Sequence, residues 1–148
     1  MKMPRFSVRS RIAAAAVAAA LAGGATLAAA GPASASTSVP VTIQCTVIIG
    51  PFTGTWTASG GISDSGTLVQ PVDFRVGQGR VVHLMRVMTG SKGTITLVED
   101  NLIGTPVGHW AVIAGTGAYA ELHGDGTSSG VVVNGVVTDT LTGTVHYD

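Results

Sequence analysis

Cysteine is nearly absent from this sequence: Cys45 stands alone among 148 residues. A disulfide framework within the chain is therefore excluded. The neighbours of Cys45 at spacing two, Val41, Ile43, Val47 and Ile49, mark it as a small buried hydrophobe rather than a reactive thiol. Charge is also scarce, at 11% of residues. Beyond residue 35 the cations are Arg75, Arg80, Arg86 and Lys92, set against all eight carboxylates of the chain, a net of −4 with neutral histidines. Nucleic-acid binding needs a basic face, so nucleic acid is excluded as a partner. Aromatic residues make up only 5%, and no window sustains a 3.6-residue apolar period, which argues against packed helices.

The N-terminus is built differently from the rest. Lys2, Arg5, Arg9 and Arg11 precede an apolar, alanine-rich run, Ile12 to Leu21, and Ala33-Ser34-Ala35 supplies the small-x-small pattern of a signal-peptidase site. Residues 1–35 are expected to be a secretory leader, cut before Ser36, and the protein to be secreted. The run is too short and too weakly apolar for a span of about 20 residues, so no membrane partner is expected after cleavage. Residues 36–148 are the size of one domain.

That domain is rich in glycine, valine and threonine, residues of turns and half-buried strands. Val41 to Val47, Phe52 to Ala58 and Thr138 to Tyr147 alternate apolar and polar residues. Further strands are expected at 67–75, 80–89, 93–99, 107–114 and 126–137, the last with a hairpin signal at Asn134-Gly135. About eight antiparallel strands at this spacing form a sandwich or a closed barrel. Val81 to Met88 is apolar on both faces, so its outward side is expected to meet another chain, a covering segment or a ligand.

The segment Gly115 to Thr127 opens G-x-G-x-x-A, one spelling of a dinucleotide loop. Such a loop must start a helix of ten or more residues within a βαβ unit. Only six residues, Ala118 to His123, precede Gly124-Asp125-Gly126, and a β-run follows. The stretch therefore reads as architecture: a tight turn with one helical turn at Ala118–Leu122 that packs Tyr119 and Leu122 inward.

The pattern Gly115-Thr116-Gly117-x-Tyr119-x-x-x-x-Gly124-x-Gly126, preceded by an aromatic strand, resembles the glycine signature of dirigent proteins and the related allene oxide cyclase-like barrels. The Thr-Gly-Thr strand near residue 54 and the closing Leu141-Thr142-Gly143-Thr144-Val145 strand resemble secreted actinobacterial members of that superfamily. The resemblance implies an eight-stranded antiparallel barrel, commonly trimeric, with an apolar cavity for a small hydrophobic molecule. It also implies cyclisation or stereocontrolled coupling achieved by shaping the substrate, with no metal or organic cofactor. Plant dirigent proteins usually place an arginine immediately before the motif's later glycine; His123 stands there in this chain.

Alternation sorts the remaining polar residues. His83 shares a face with Val81, Met85 and Val87, opposite Arg80, Val82, Leu84, Arg86 and Met88. Glu99 lies with Ile95 and Leu97, and His109 with Val107, Ala111 and Ile113. His83, Glu99 and His109, joined by His123, are the candidate acid–base residues should they converge in a lumen. Structural pairing or a place near a barrel mouth is the alternative for each. Phe52, Trp56, Trp110 and Tyr119 are core residues or the lining of a ligand pocket. No H-x-H, H-x-x-x-H or G-x-S-x-G motif occurs, so neither a metal nor a serine nucleophile is expected. An extracellular ligand carrier or envelope protein without catalysis is the competing reading.

Overall fold

The computed structural model describes residues 36–148 except 104 and 106; the expected leader lies outside the described residues. Eight antiparallel strands close into a barrel in chain order. They are β1 (Val39–Ile48), β2 (Thr53–Gly60), β3 (Asp64–Val76), β4 (Val81–Gly90), β5 (Thr94–Leu102), β6 (Gly108–Gly115), β7 (Leu122–Val133) and β8 (Val136–Tyr147). Closure is made by β1 against β8, from Val39↔Val145 to Ile48↔Val136. The expected all-β barrel is what forms, and joining the first strand to the last removes the unpaired edges an open sheet would expose.

Two local readings shift. The hairpin signal at Asn134-Gly135 is borne out as the β7–β8 turn, and only the strand bounds move: β7 begins earlier, at Leu122, and β8 starts at Val136. The helical turn expected at Ala118–Leu122 is a shorter 3₁₀ turn, Gly117–Tyr119, because Leu122 already pairs with Tyr147 in the β7–β8 ladder. Tyr119 and Leu122 are buried, as the turn geometry required. No phosphate cradle exists here: Gly117, at φ +61°, only brings the chain back against Lys92.

Two indoles organise the interior by the same device on opposite sides of the barrel. Trp56 on β2 faces Gly66 on β3, which faces Gly90 on β4. Trp110 on β6 faces Gly126 on β7, which faces Gly143 on β8. Each indole lies across the neighbouring strands, and its Nε1 donates to a backbone carbonyl beyond them: Trp56 to Thr89 at 3.3 Å, Trp110 to Thr127 at 3.1 Å and Thr142 at 3.3 Å. A Cβ on Gly90 would lie 2.9 Å from the Trp56 ring, and one on Gly143 would lie 2.8 Å from the Trp110 ring. Glycine is therefore the side chain these indoles need beneath them. Val41, Ile43, Leu68, Met88, Ile95, Leu141 and Val145 fill the space around them.

The end of the barrel that holds the β2–β3, β4–β5 and β6–β7 connections is closed by Asp64. Its carboxylate accepts from the Tyr119 hydroxyl at 2.8 Å, Ser91 Oγ at 2.9 Å, and the backbone N–H groups of Ser65, Ser91 and Lys92 at 2.9, 3.2 and 3.2 Å. Desolvation alone would raise the Asp64 pKa; these donors outweigh it and hold the carboxyl well below the usual range. A depressed folded-state pKa stabilises above the unfolded value and ceases to do so as pH falls through the folded one. Asp64→Asn is therefore expected to lower the urea midpoint at neutral pH, and the gap from wild type to close below the ordinary carboxylate range.

Candidate functional site

The opposite end, where the β1–β2, β3–β4, β5–β6 and β7–β8 connections meet, is open. A cavity of about 390 Å³ enters there, within the range small-molecule sites occupy. Its walls are mainly apolar, with Val47, Ile49, Phe52, Val82, Leu84 and Val137 among them. The floor is polar: Gln70, Arg86 and Asp139 face the cavity together.

Arg86 is the centre of this floor and is 1% exposed. It projects inward from β4 between Leu84 and Met88, which are both buried. Its Nη1 donates to Glu99 on β5 at 2.8 Å, its Nη2 to Asp139 on β8, and its Nε to the Gln70 amide oxygen on β3 at 3.2 Å. The network runs outward on both sides. Asn101 donates to Glu99 at 2.7 Å and accepts from Ser128 at 3.2 Å, while Gln70 reaches Asp73 at 3.5 Å. Among the described residues every buried side-chain nitrogen and oxygen has a partner, which is the condition for tolerating such a network inside a core.

The charges do not cancel within the triad, because two carboxylates meet one guanidinium. Burial would lower the Arg86 pKa, but Glu99 and Asp139 outweigh it and push it up, so this residue stays cationic. Burial is also the largest influence on Asp139. With Glu99 adding repulsion, it exceeds the attraction of Arg86 and raises the Asp139 carboxyl above the usual range. A carboxyl that keeps its proton to higher pH, at the bottom of an apolar cavity, can donate a hydrogen bond or a proton to a ligand oxygen. Cys45 lies beside the same guanidinium, yet burial pushes its thiol up to about 12. That leaves it a poor nucleophile.

The expected acid–base set does not assemble. Glu99 is inside the barrel as alternation implied, but it sits behind Arg86 and is absent from the cavity lining. His83 projects from the outer wall, hydrogen-bonded to Asp100 and stacked on Phe74 with ring centroids 6.5 Å apart. His109 is exposed on the outside of β6, because the bulk of Trp110 claims the interior. His123 is also external, 3.0 Å from Asp148 and stacked on His146 at 5.3 Å. Of the aromatic candidates, Phe52 lines the cavity, whereas Trp56, Trp110 and Tyr119 belong to the packed core.

Arg86, Asp139 and Gln70 were not singled out from the sequence. A usable signal existed: Arg86 alternates with Leu84 and Met88, and Asp139 with Val137 and Leu141. A charged residue on an otherwise apolar face must be paired if that face turns inward. No metal-competent cluster of His, Cys, Asp or Glu occurs among the described residues. Comparison with protein-family models, curated proteins and solved structures gives no match.

Arg86→Met would leave two buried carboxylates without a counter-ion, a change that costs about 3–5 kcal/mol in comparable pairs. The loss should be greatest at neutral pH and shrink in acid, where Asp139, its carboxyl already held above the usual range by burial, is neutralised; denaturant titration at two pH values measures it. Cys45 should resist thiol reagents at pH 8 in the folded protein and react promptly in denaturant.

Proposed function

We propose that this barrel receives a small, mainly apolar molecule in its open lumen, with a neutral polar end set against Asp139, Gln70 and Arg86. The observation that supports this reading is the pairing of an apolar cavity of about 390 Å³ with a buried polar floor. Arg86 is already engaged by two carboxylates, Asp139 in the floor and Glu99 behind it, which disfavours an anionic head group; a hydroxyl, carbonyl or ether oxygen fits the floor better. Asp139 supplies the acid, Arg86 and Glu99 hold it in place, and the walls fix the conformation of the ligand. That is the equipment for a cyclisation or isomerisation driven by orientation and proton donation, without a metal or organic cofactor. It is also the class of chemistry that the resemblance to allene oxide cyclase-like and dirigent-like barrels implies. The leader-like N-terminus favours a site of action outside the cell. The half-buried outer face of β4 and β5, with Met85, Val87 and Val98, offers a wall for the self-association that the resemblance also implies.

A non-catalytic carrier is the second reading, and one observation favours it: the Asp139 carboxylate is already engaged by Arg86. The two readings separate on one residue. Asp139→Asn should keep ligand affinity within a few-fold in either case, and should abolish turnover only if the protein is an enzyme.

The cavity itself is tested by filling it. Leu84→Trp adds an indole to the lumen, and binding of a neutral apolar dye, followed by fluorescence, should weaken at least tenfold, by the loss of apolar contact area. Retention of full affinity would place the dye elsewhere and sink the lumen reading.

A further inference from the structure

The large exposed apolar side chains of this protein are not spread evenly over it. Among the described residues Ile48, Ile49, Val69, Val72, Phe74, Leu102, Ile103, Val107 and Val131 to Val133 are each more than a third exposed and belong to the open half of the barrel, against Val39, Ile113 and Tyr147 toward the closed end. Two hairpins account for the most exposed of them. β3 pairs with β2 only as far as Val69↔Thr53, and after a bulge at Gln70-Pro71 it continues as the outer strand of a finger with β4, which stays paired with β5 out to Val81↔Leu102. β7 pairs with β6 only as far as Ser128↔Gly108, then continues as the outer strand of a second finger with β8, which stays paired with β1 out to Val136↔Ile48. The two fingers stand four strands apart in an eight-stranded ring, hence on opposite sides of the mouth. Phe74 is 60% exposed on the first finger; Val131, Val132 and Val133 are 63%, 63% and 61% exposed on the second.

Charge is also uneven along this axis: two arginines balance two carboxylates at the open end, whereas four carboxylates face one lysine at the closed end. Arg75 and Arg80 both lie on the first finger, flanking its turn, and Arg75 is 61% exposed. The closed end instead carries Asp64, Glu121, Asp125 and Asp148 with Lys92. Near the mouth, Asp73 lies beside Gln70 and Arg75, and Asp100 is hydrogen-bonded to His83.

We propose that the open end of the barrel docks on an anionic lipid surface, with both hairpin tips in the headgroup layer and the lumen facing the bilayer. Exposed aliphatic and aromatic tips gain by entering the interface, and arginines beside them gain from anionic headgroups. The acidic closed end is kept away from the same surface. A second copy docked like finger to like finger is a poorer occupant, because it would bring Arg75 and Arg80 toward their own images. The protein would lie on the membrane, not span it. The sequence alone pointed to no membrane partner; these residues come from four strands and the connections beside them and form no long apolar run. Docking explains how an apolar ligand reaches the lumen without crossing water, and to that extent it rests on the ligand reading above.

The test is flotation of residues 36–148, within which every strand of the barrel closes, with vesicles of phosphatidylcholine and phosphatidylglycerol or of phosphatidylcholine alone. Wild type should float with the mixed vesicles and bind the neutral ones more weakly. Arg75→Gln and Arg80→Gln should each reduce binding about fivefold. Phe74→Asp combined with Val131→Asp should abolish flotation; neither residue lines the cavity, so dye binding in the lumen should persist in that variant. An unchanged circular dichroism spectrum and urea midpoint would confirm that the double variant is folded. Failure of wild type to float, or flotation of the double variant, would overturn the proposal. So would a wild-type dimer that the double variant dissolves while neither protein meets vesicles, which would assign the fingers to self-association. If wild type floats but binds no dye, docking stands and the ligand reading falls.

Discussion

A single guanidinium inside the barrel sets the terms for everything above and below it. Arg86 cannot lie in an apolar lumen unless its charge is matched and its N–H groups are bonded. The chain meets that demand by drawing Glu99 from β5, Asp139 from β8 and Gln70 from β3 to one point. Four of the eight strands are thereby held in a fixed relation at mid-barrel. The triad also divides the interior: beneath it the lumen is packed with hydrophobic side chains, and above it the lumen is open.

The lower half is solid for a reason visible in the strand pairing. Trp56 and Trp110 each spread over glycines on the two following strands, so a large ring occupies space that neighbouring side chains would otherwise fill. Tyr119 and Asp64 then tie the connections at that end together. The upper half has no such plug. The residues that face inward there, Val82, Leu84 and Val137 among them, coat the wall without meeting at the centre. A cavity with a charged floor follows from where the aromatic residues stop.

The same asymmetry extends to the outside. The closed end is acidic, whereas at the open end β3 and β7 each outrun one neighbouring strand and leave apolar residues in water. Apolar surface is concentrated around the opening, with both exposed arginines on one of its fingers. Under the proposed function, floor, wall and rim form one path for an apolar molecule with a neutral polar end.

Much of this was legible beforehand. Alternation of valine and threonine marked the strands, Asn134-Gly135 marked a hairpin, and the spacing of Gly115, Gly117 and Tyr119 gave a tight return with an aromatic anchor instead of a phosphate cradle. These are local properties, set by backbone sterics and side-chain period within a few residues. What alternation left open is which face of a strand points inward when both are apolar. On β4 either His83 or Arg86 could have been inside. The choice fell to Arg86 because its partners, Glu99 and Asp139, arrive from strands 13 and 53 residues away, and no short window of sequence contains that pairing. The sequence by itself determined strands and turns, with no packed helix among the described residues beyond one 3₁₀ turn. Only the closed barrel decided that the histidines lie outside, that an ion triad lies within, and that the space above it stays open, because burial of charge is settled by partners that the fold brings together.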